Sequence, residues 1–282
     1  MTRLTLTGAG GGPHPFVNPS SISGCLQFVE MDRGVEESDG STPENGENIQ
    51  DWKDEWSGSD RDFTQPTVDL QPVYNTSFFD VAGAVFDGSN DNLYDRVNDE
   101  MNFDYDDNFY LIVAFKTGAS MLSWQGLYTK QLNADAENTY AGWFFHIASN
   151  TKLSMQIRQD YQNSRSINVN SDTTTLAINT FYIVEMQYTK PASGFPLTSG
   201  ATSYFQLFVN EAAQTLSDAS AGDITGSVTS TADVMLGGRG ISGTSVGGAS
   251  NCIFAAAGCY SGILTTDNRS DLFTYLNDKY NP

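Results

Sequence analysis

Two carboxylates in the stretch "FVEMDRG" have a spacing that could support acid–base chemistry. Glu30 and Asp32 are two positions apart, so on a β-strand both side chains would point to the same face. Two carboxylates on one face can act as the nucleophile and the general acid of a glycoside hydrolase. We therefore consider Glu30 and Asp32 as a candidate catalytic pair.

The stretch "FDGSNDNLYD", residues 86–95, is a candidate calcium site. Ca²⁺ prefers oxygen ligands, and Asp87, Asn90 and Asp91 could supply them together with a carbonyl group from another loop. The stretch is not an EF-hand, because it lacks the glycine at the sixth position and the distant glutamate. A tight turn is the favoured interpretation, since Asp87 and Asn90 can bond to their own backbone and Gly88 can adopt a positive φ. Calcium is the alternative, and we predict no other metal or cofactor.

Nucleophilic catalysis has little support in the sequence. The only histidines are His14 and His146, and His146 lies in the strand-like stretch "GWFFHIA", where a partly buried structural residue is the favoured interpretation. The G-x-S-x-G nucleophile motif is absent. Trp56, Trp124 and Tyr140 could stack on sugars if exposed, although tryptophan in a β-sandwich usually belongs to the core. We therefore predict a protein without enzymatic activity.

The charge balance excludes several classes of partner. Fourteen basic residues stand against 34 acidic ones, which leaves a formal net charge of −20. A field of this sign repels DNA, RNA and anionic membranes. We therefore predict no nucleic-acid partner.

The cysteines and the apolar residues bear on where the protein is made. Cys25, Cys252 and Cys259 are odd in number, fit neither a zinc site nor a disulfide framework, and are interpreted as buried thiols of a protein assembled in a reducing cytoplasm. The first residues resemble no secretory signal. No stretch approaches the roughly 20 apolar residues of a membrane-spanning helix, so we predict no membrane insertion.

Alternating patterns predict the strands that position these residues. Leu153, Met155 and Ile157 share one face of a strand, and the stretches 182–188 and 205–209 alternate in the same way. The stretch "FYLIVAFK", residues 109–116, is apolar on both faces, which is typical of a central strand covered on both sides. Stacked antiparallel sheets follow from these runs.

A helical period replaces the strand period near the C-terminus. The stripe of Leu272, Phe273, Leu276 and Tyr280 predicts one short helix on the outside of the sandwich, capped by Thr266 or Asp267. Residues 1–17 are rich in glycine, threonine and proline, and we expect them to form an extended arm. The remaining residues, 18–282, show no break in composition and are predicted to form a single domain.

Several segments, in their order and spacing, carry a family resemblance over about residues 18–280. They are "NPSSISGCLQFVEMDRG", "IQDWKDEWSGSDRDFTQPTVDLQPVY", "GAVFDGSNDNLYD", "FYLIVAFK", "GWFFHI", "FYIVEMQY", "FQLFVNEAAQ", "VMLGGR" and "GILTTDNRSDLFTYLNDKY". This series resembles the concanavalin A-like lectin/glucanase (laminin-G-like) jelly-roll domains of tailed-bacteriophage virion proteins and some marine bacterial surface proteins. The resemblance implies an all-β sandwich of two antiparallel sheets, one concave and one convex, with a short C-terminal helix folded back on them.

The resemblance implies little about chemistry, because this sandwich hosts lectins, glycosidases and structural modules. Glucanases of this general fold have a third carboxylate at the next alternate position, where this chain has Gly34. A glycoside hydrolase is therefore the least favoured of three hypotheses for the function, and the other two follow.

The leading hypothesis is a non-enzymatic virion structural protein of a tailed phage, made in the host cytoplasm and displayed on the particle surface. It would serve as a capsid decoration or a tail-associated protein and could also bind host glycans. Residues 1–17 would anchor it on other capsid or tail proteins, and a homotrimer or another cyclic homo-oligomer would add avidity. The alternative hypothesis is a carbohydrate-binding, lectin-like module of a bacterial surface protein.

Overall fold

The computed structural model describes residues 18–281, apart from 58–60, 78–81, 96–98, 132–140, 161–164, 193, 195, 199, 201 and 240–247. The described residues form eighteen β-strands and one α-helix, which confirms the predicted all-β fold. The predicted arm, residues 1–17, lies outside the described residues, as does Tyr140. The division into an arm and a single domain stays a prediction.

The strands vary from two to eleven residues in length. The first nine are β1 Cys25–Glu30, β2 Val35–Glu36, β3 Asp51–Trp52, β4 Phe63–Thr64, β5 Val73–Asn75, β6 Gly83–Val85, β7 Leu93–Asp95, β8 Phe109–Thr117 and β9 Gln125–Gln131. The other nine are β10 Gly142–Ile147, β11 Lys152–Asp160, β12 Arg165–Thr175, β13 Phe181–Tyr188, β14 Phe205–Val209, β15 Ala212–Ala213, β16 Leu216–Asp218, β17 Val234–Leu236 and β18 Cys252–Ser261. Single turns of 3₁₀ helix occupy Pro19–Ser21, Val68–Leu70, Asp99–Met101 and Thr202–Tyr204, and the α-helix is α1 Thr266–Tyr280.

These strands build the two antiparallel sheets of a jelly-roll sandwich. The eight-stranded sheet has the order β15-β14-β13-β8-β18-β6-β5, and β1 also pairs with β18. The ten-stranded sheet has the order β16-β12-β11-β10-β9-β17-β7-β4-β3-β2. Because strands from distant parts of the chain are neighbours, the sheets join the beginning of the described chain to its end.

The main core lies between the sheets and is built from alternate residues of the facing strands. Leu153, Met155 and Ile157 of β11 are buried there, and the alternating residues of β13 and β14 are buried with them, as predicted. Strand β8 is buried on both faces. Phe109 and Leu111 belong to the main core, whereas Tyr110, Ile112 and Ala114 belong to a second apolar cluster on the other side of the sheet.

Helix α1 covers this second cluster from outside the sandwich, as predicted. Leu272, Leu276 and Tyr280 are buried against the outer face of the eight-stranded sheet. The predicted cap was wrong, because Thr265 keeps an extended backbone and its hydroxyl accepts the N–H of Asn268 at 3.2 Å. Apolar periodicity shows where a helix packs but leaves its first residue open by one or two positions.

The three cysteines are free thiols. Cys252 and Cys259 are buried, as predicted, whereas Cys25 is only half-buried. Burial raises the pKa of the Cys252 thiol to about 12. A thiol with such a pKa stays protonated and unreactive at neutral pH.

Candidate functional site

The outer face of the ten-stranded sheet carries a regular set of side chains from β9, β10, β11 and β12. Side chains alternate between the faces of a strand, so the residues between the core positions point away from the sandwich interior. The pairing of the four strands aligns these residues in three neighbouring rows, which we call the outer-face rows. The rows are Gln131, Gly142, Arg158 and Ser166; Thr129, Phe144, Gln156 and Asn168; and Gly126, His146, Ser154 and Asn170.

An aromatic column stands on these rows. The rings of Phe144 and His146 stack with their centroids 4.0 Å apart and their planes 9° from parallel. His146 also stacks on Trp124, at 5.1 Å between centroids and 19° between planes. The guanidinium group of Arg239 lies over the Phe144 ring, 5.0 Å from its centroid. Three parts of the chain therefore meet in one stack of planar groups, which we call the aromatic column.

Trp124 is the exposed end of the aromatic column. Its side chain is 40% exposed, while Phe144 and His146 are fully buried. Its backbone has a φ of 62°, which a bulky residue rarely adopts. Unfavourable backbone conformations of this kind cluster at binding sites, where the surrounding structure holds them in place. The turn before β9 therefore fixes a flat apolar surface in contact with solvent.

His146 lies in the middle of the aromatic column and is neutral. Burial lowers the pKa of its imidazole to about 3, so the ring is uncharged at neutral pH. Its Nδ1 lies 3.0 Å from the carbonyl oxygen of Phe144. Its Nε2 is buried and has no hydrogen-bond partner in the described part of the chain. The sequence suggested a partly buried strand residue, and the structure places a fully buried one here.

Polar side chains beside the aromatic column orient one another. Arg239 Nη1 donates to Gln131 Oε1 at 3.2 Å, and Gln131 Nε2 donates to Gln156 Oε1 at 3.2 Å. On the neighbouring strands, Ser154 Oγ donates to Asn168 Oδ1 at 2.9 Å. These hydrogen bonds hold the side chains in defined directions, and Gln131, Gln156, Ser154 and Asn168 are all buried.

The proposed catalytic pair serves a different purpose. Glu30 Oε2 accepts hydrogen bonds from Trp56 Nε1 at 2.6 Å and Tyr275 Oη at 2.9 Å, and Glu30 Oε1 accepts one from Lys279 Nζ at 3.1 Å. Lys279 Nζ also donates to Asp32 Oδ1 at 2.8 Å. The structure thus brings Glu30 and Asp32 together, but under the last turn of α1. Both oxygens of Glu30 are engaged, so this cluster anchors the helix.

The loop between β6 and β7 contains the candidate calcium ligands. Asp87 Oδ1 accepts the N–H groups of Ser89 and Asn90 at 2.7 Å and 3.3 Å, and Asp91 Oδ2 accepts the N–H of Asp87 at 2.8 Å. Asn90 Nδ2 donates to the carbonyl oxygen of Asp69 at 3.0 Å. These are hydrogen bonds of a turn. Calcium at Asp87, Asn90 and Asp91 stays a prediction.

The described residues contain neither a grouped set of metal-ligating side chains nor a helix suited to a membrane. In that part of the chain, no three His, Cys, Asp or Glu side chains are grouped so that they could hold a metal ion. No helix within the described ranges is long and apolar enough to cross a membrane.

Sequence reasoning named Trp124 but missed the aromatic column. In "GWFFHIA", Trp143 and Phe145 face the core and alternate with Phe144 and His146. All four are aromatic rings, so no change from apolar to polar residues marks which face is outward. Only the pairing of β10 with its neighbours shows that Phe144 and His146 lie on the same side as Trp124.

Comparison with known proteins finds similar folds. No family model and no curated protein matches the chain. The binding domain of Paraclostridial Mosquitocidal Protein 1 is similar over 92% of this chain and 53% of that chain, with a TM-score of 0.54 and 12% identity. Trypanosoma rangeli sialidase in complex with sialic acid is similar over 90% of this chain and 33% of that chain, with a TM-score of 0.53 and 13% identity.

A shorter match is the CBM40 of the Ruminococcus gnavus IT-sialidase, bound to α2,3-sialyllactose. It covers 62% of this chain and 83% of that chain, with a TM-score of 0.41 and 15% identity. The two longer matches, at 12% and 13% identity, show a common fold, the jelly-roll sandwich that the sequence predicted. The likeness to phage virion proteins stays a prediction. Since the similar region is 33% of the sialidase chain, the match does not test for activity, and the absence of enzymatic activity also stays a prediction.

Proposed function

We propose that this chain is a carbohydrate-binding, lectin-like module that holds a glycan on the outer face of its ten-stranded sheet. The observation that carries the proposal is the aromatic column with Trp124 at its exposed end. A flat aromatic ring packs against the apolar C–H face of a sugar ring. Most polar side chains of the outer-face rows are buried, but Arg158 and Asn170 are partly exposed, and their polar groups are suited to bind the hydroxyl groups of the same sugar.

Preorganisation of the site supports this proposal. Trp124 is held by the His146 ring and by its own turn, and Gln131 and Gln156 orient each other. A site whose side chains are already ordered loses little conformational entropy when a ligand binds. The jelly-roll fold is compatible with this role, since a binding domain matches this chain over 92% of its length, although a fold does not specify a ligand.

Display on a phage particle is an additional prediction. A lectin-like module could serve there in host adhesion, anchored through residues 1–17 and repeated in a homotrimer or another cyclic homo-oligomer. Mass spectrometry of purified particles checks the location, and sedimentation of the purified chain checks the oligomeric state.

A glycan array followed by calorimetry tests the binding function. We expect the unmodified chain to bind at least one class of glycan, and Trp124→Ala to weaken that binding by about 30-fold, the effect of losing an interaction of about 2 kcal/mol. Val68→Ala is the matched control, because Val68 is 58% exposed and lies outside the outer-face rows. Its affinity should be unchanged.

Two outcomes would contradict the proposal. One is an array on which the unmodified chain binds nothing, with or without calcium. The other is binding that survives Trp124→Ala but disappears in Asp87→Asn or after calcium is chelated. That second pattern would move the glycan site to the loop between β6 and β7.

A further inference from the structure

Two arginines lie on or beside the outer-face rows of a strongly acidic chain. The chain has 34 acidic and only 14 basic residues. None of the twelve positions of the outer-face rows is acidic, and the one charged residue among them is Arg158. A second cation, Arg239, bonds to Gln131 of the same rows. Two guanidinium groups therefore lie on or beside these rows, and Asp160 follows two positions after Arg158 on the same strand.

Arg158 and Gln131, the residue that binds Arg239, lie on either side of a glycine. Gln131, Gly142 and Arg158 are consecutive in one row, and strands are about 4.8 Å apart, so Gln131 and Arg158 are separated by about 10 Å. Gly142 has a φ of 119°, and a Cβ at this position would come within 1.9 Å of the carbonyl oxygen of Lys130. The position therefore requires glycine, and no side chain rises between Gln131 and Arg158.

We propose that the outer face selects glycans that carry an anionic group, a carboxylate or a sulfate, and that Arg158 and Arg239 bind this group. The inference rests on the proposed function and names its ligand class. Guanidinium groups bind carboxylate and sulfate oxygens with charge-assisted, often bidentate hydrogen bonds. The aromatic column is neutral, since burial lowers the pKa of its histidine to about 3. Selection for charge therefore falls to the two arginines, while Trp124 packs on the sugar ring.

Pairs of sugars that differ only in the anionic group test the inference. Lactose and 3′-sulfolactose differ in the sulfate, 3′-sialyllactose and its methyl ester differ in the charge of the carboxyl group, and an array should also contain equivalent pairs built on other cores. We expect at least 10-fold tighter binding of the anionic members, and a comparison of the carboxylated with the sulfated member identifies the preferred anion. Arg158→Gln and Arg239→Gln should each remove most of this preference, while Arg158→Lys should keep part of it.

A control and two contrary outcomes complete the test. Lys152→Gln removes a positive charge from the other end of β11, where Lys152 pairs with Asp172, and should leave the preference intact. Equal affinity for neutral and anionic members, lost in Trp124→Ala, would overturn this inference and leave the proposed function standing. No binding of any sugar by the folded chain would overturn both. Near-ultraviolet circular dichroism of each variant separates lost binding from lost folding.

Discussion

At the scale of single residues, the buried side chains of Asp91 and His146 change the free energy of unfolding in opposite directions as pH rises. Burial raises the pKa of Asp91 to about 7, and the nearby Asp87 carboxylate adds to the effect. Between pH 4 and 7 the folded state thus binds the Asp91 proton more tightly than the unfolded state, and this contribution falls as pH rises. Burial lowers the pKa of His146 to about 3, so between pH 3 and about 6.5 its contribution rises with pH.

Asp91→Asn should separate the two effects. The amide oxygen can still accept the N–H of Asp87, which lies 2.8 Å from the carboxylate, but it no longer titrates. We expect the variant to be more stable than the unmodified chain at pH 8, by about 1 kcal/mol. Between pH 4 and 6.5 its free energy of unfolding should rise more, or fall less, with pH than that of the unmodified chain, because the opposing Asp91 contribution is gone. Urea denaturation at half-unit pH steps measures both effects.

The matched control for this experiment is the same replacement at Asp87. Asp87 is exposed and belongs to the same loop, and its charge is a smaller cause of the raised Asp91 pKa than burial, so Asp87→Asn should give only a small part of the gain at pH 8. Identical pH profiles for Asp91→Asn and the unmodified chain would show that Asp91 titrates normally in the folded state.

At the scale of elements, α1 is held by apolar contacts and by two polar anchors. Arg269 Nε donates to Glu185 Oε2 at 2.7 Å, and Tyr110 Oη donates to the same oxygen at 2.7 Å. Lys279 bonds Glu30 near the other end of the helix, at 3.1 Å. Both glutamates belong to strands of the eight-stranded sheet and are buried. The anchors therefore fix the direction in which α1 crosses the strands.

Glu30→Gln should loosen the anchor at the C-terminal end of α1. The new amide would turn an N–H group toward donors, and Lys279 would lose a buried partner, so we expect stability to fall by about 2–4 kcal/mol. Asp32→Asn is the matched control, because Asp32 contacts the same lysine but its side chain is 33% exposed. Its cost should be below about 1 kcal/mol. Urea unfolding followed by circular dichroism compares the two, and an equal cost would refute the anchor role of Glu30.

The elements themselves were largely predictable, and their arrangement was not. Residues 109–116 and the closing helix carry local periodicities, and the structure has β8 and α1 there. The outer-face rows depend on the register between strands, including an irregularity in the pairing of β10 with β9 between Phe145 and His146. Register is set by contacts between distant residues. For the same reason the spacing of Glu30 and Asp32 did not reveal that Lys279 would bind both.

At the scale of the whole molecule, the fold has to hold together against its own charge. The first strand, β1, pairs with the last, β18, and one apolar core joins both sheets. These long-range contacts bring most of the 34 acidic residues into one small volume. The resulting repulsion destabilises the compact state more than the expanded unfolded chain. Stability should therefore depend on the ionic strength of the solution.

Thermal unfolding at increasing salt tests this dependence. Between 0.01 and 0.1 M NaCl the screening length falls from about 30 Å to about 10 Å, and each kcal/mol of relief raises the midpoint by about 2–4 °C. A flat or falling midpoint would show that repulsion does not limit stability. CaCl₂ and MgCl₂ at equal ionic strength should act alike if screening is the sole effect. An extra gain in CaCl₂ that Asp87→Asn removes would instead support calcium at Asp87, Asn90 and Asp91, because specific binding stabilises only the folded state.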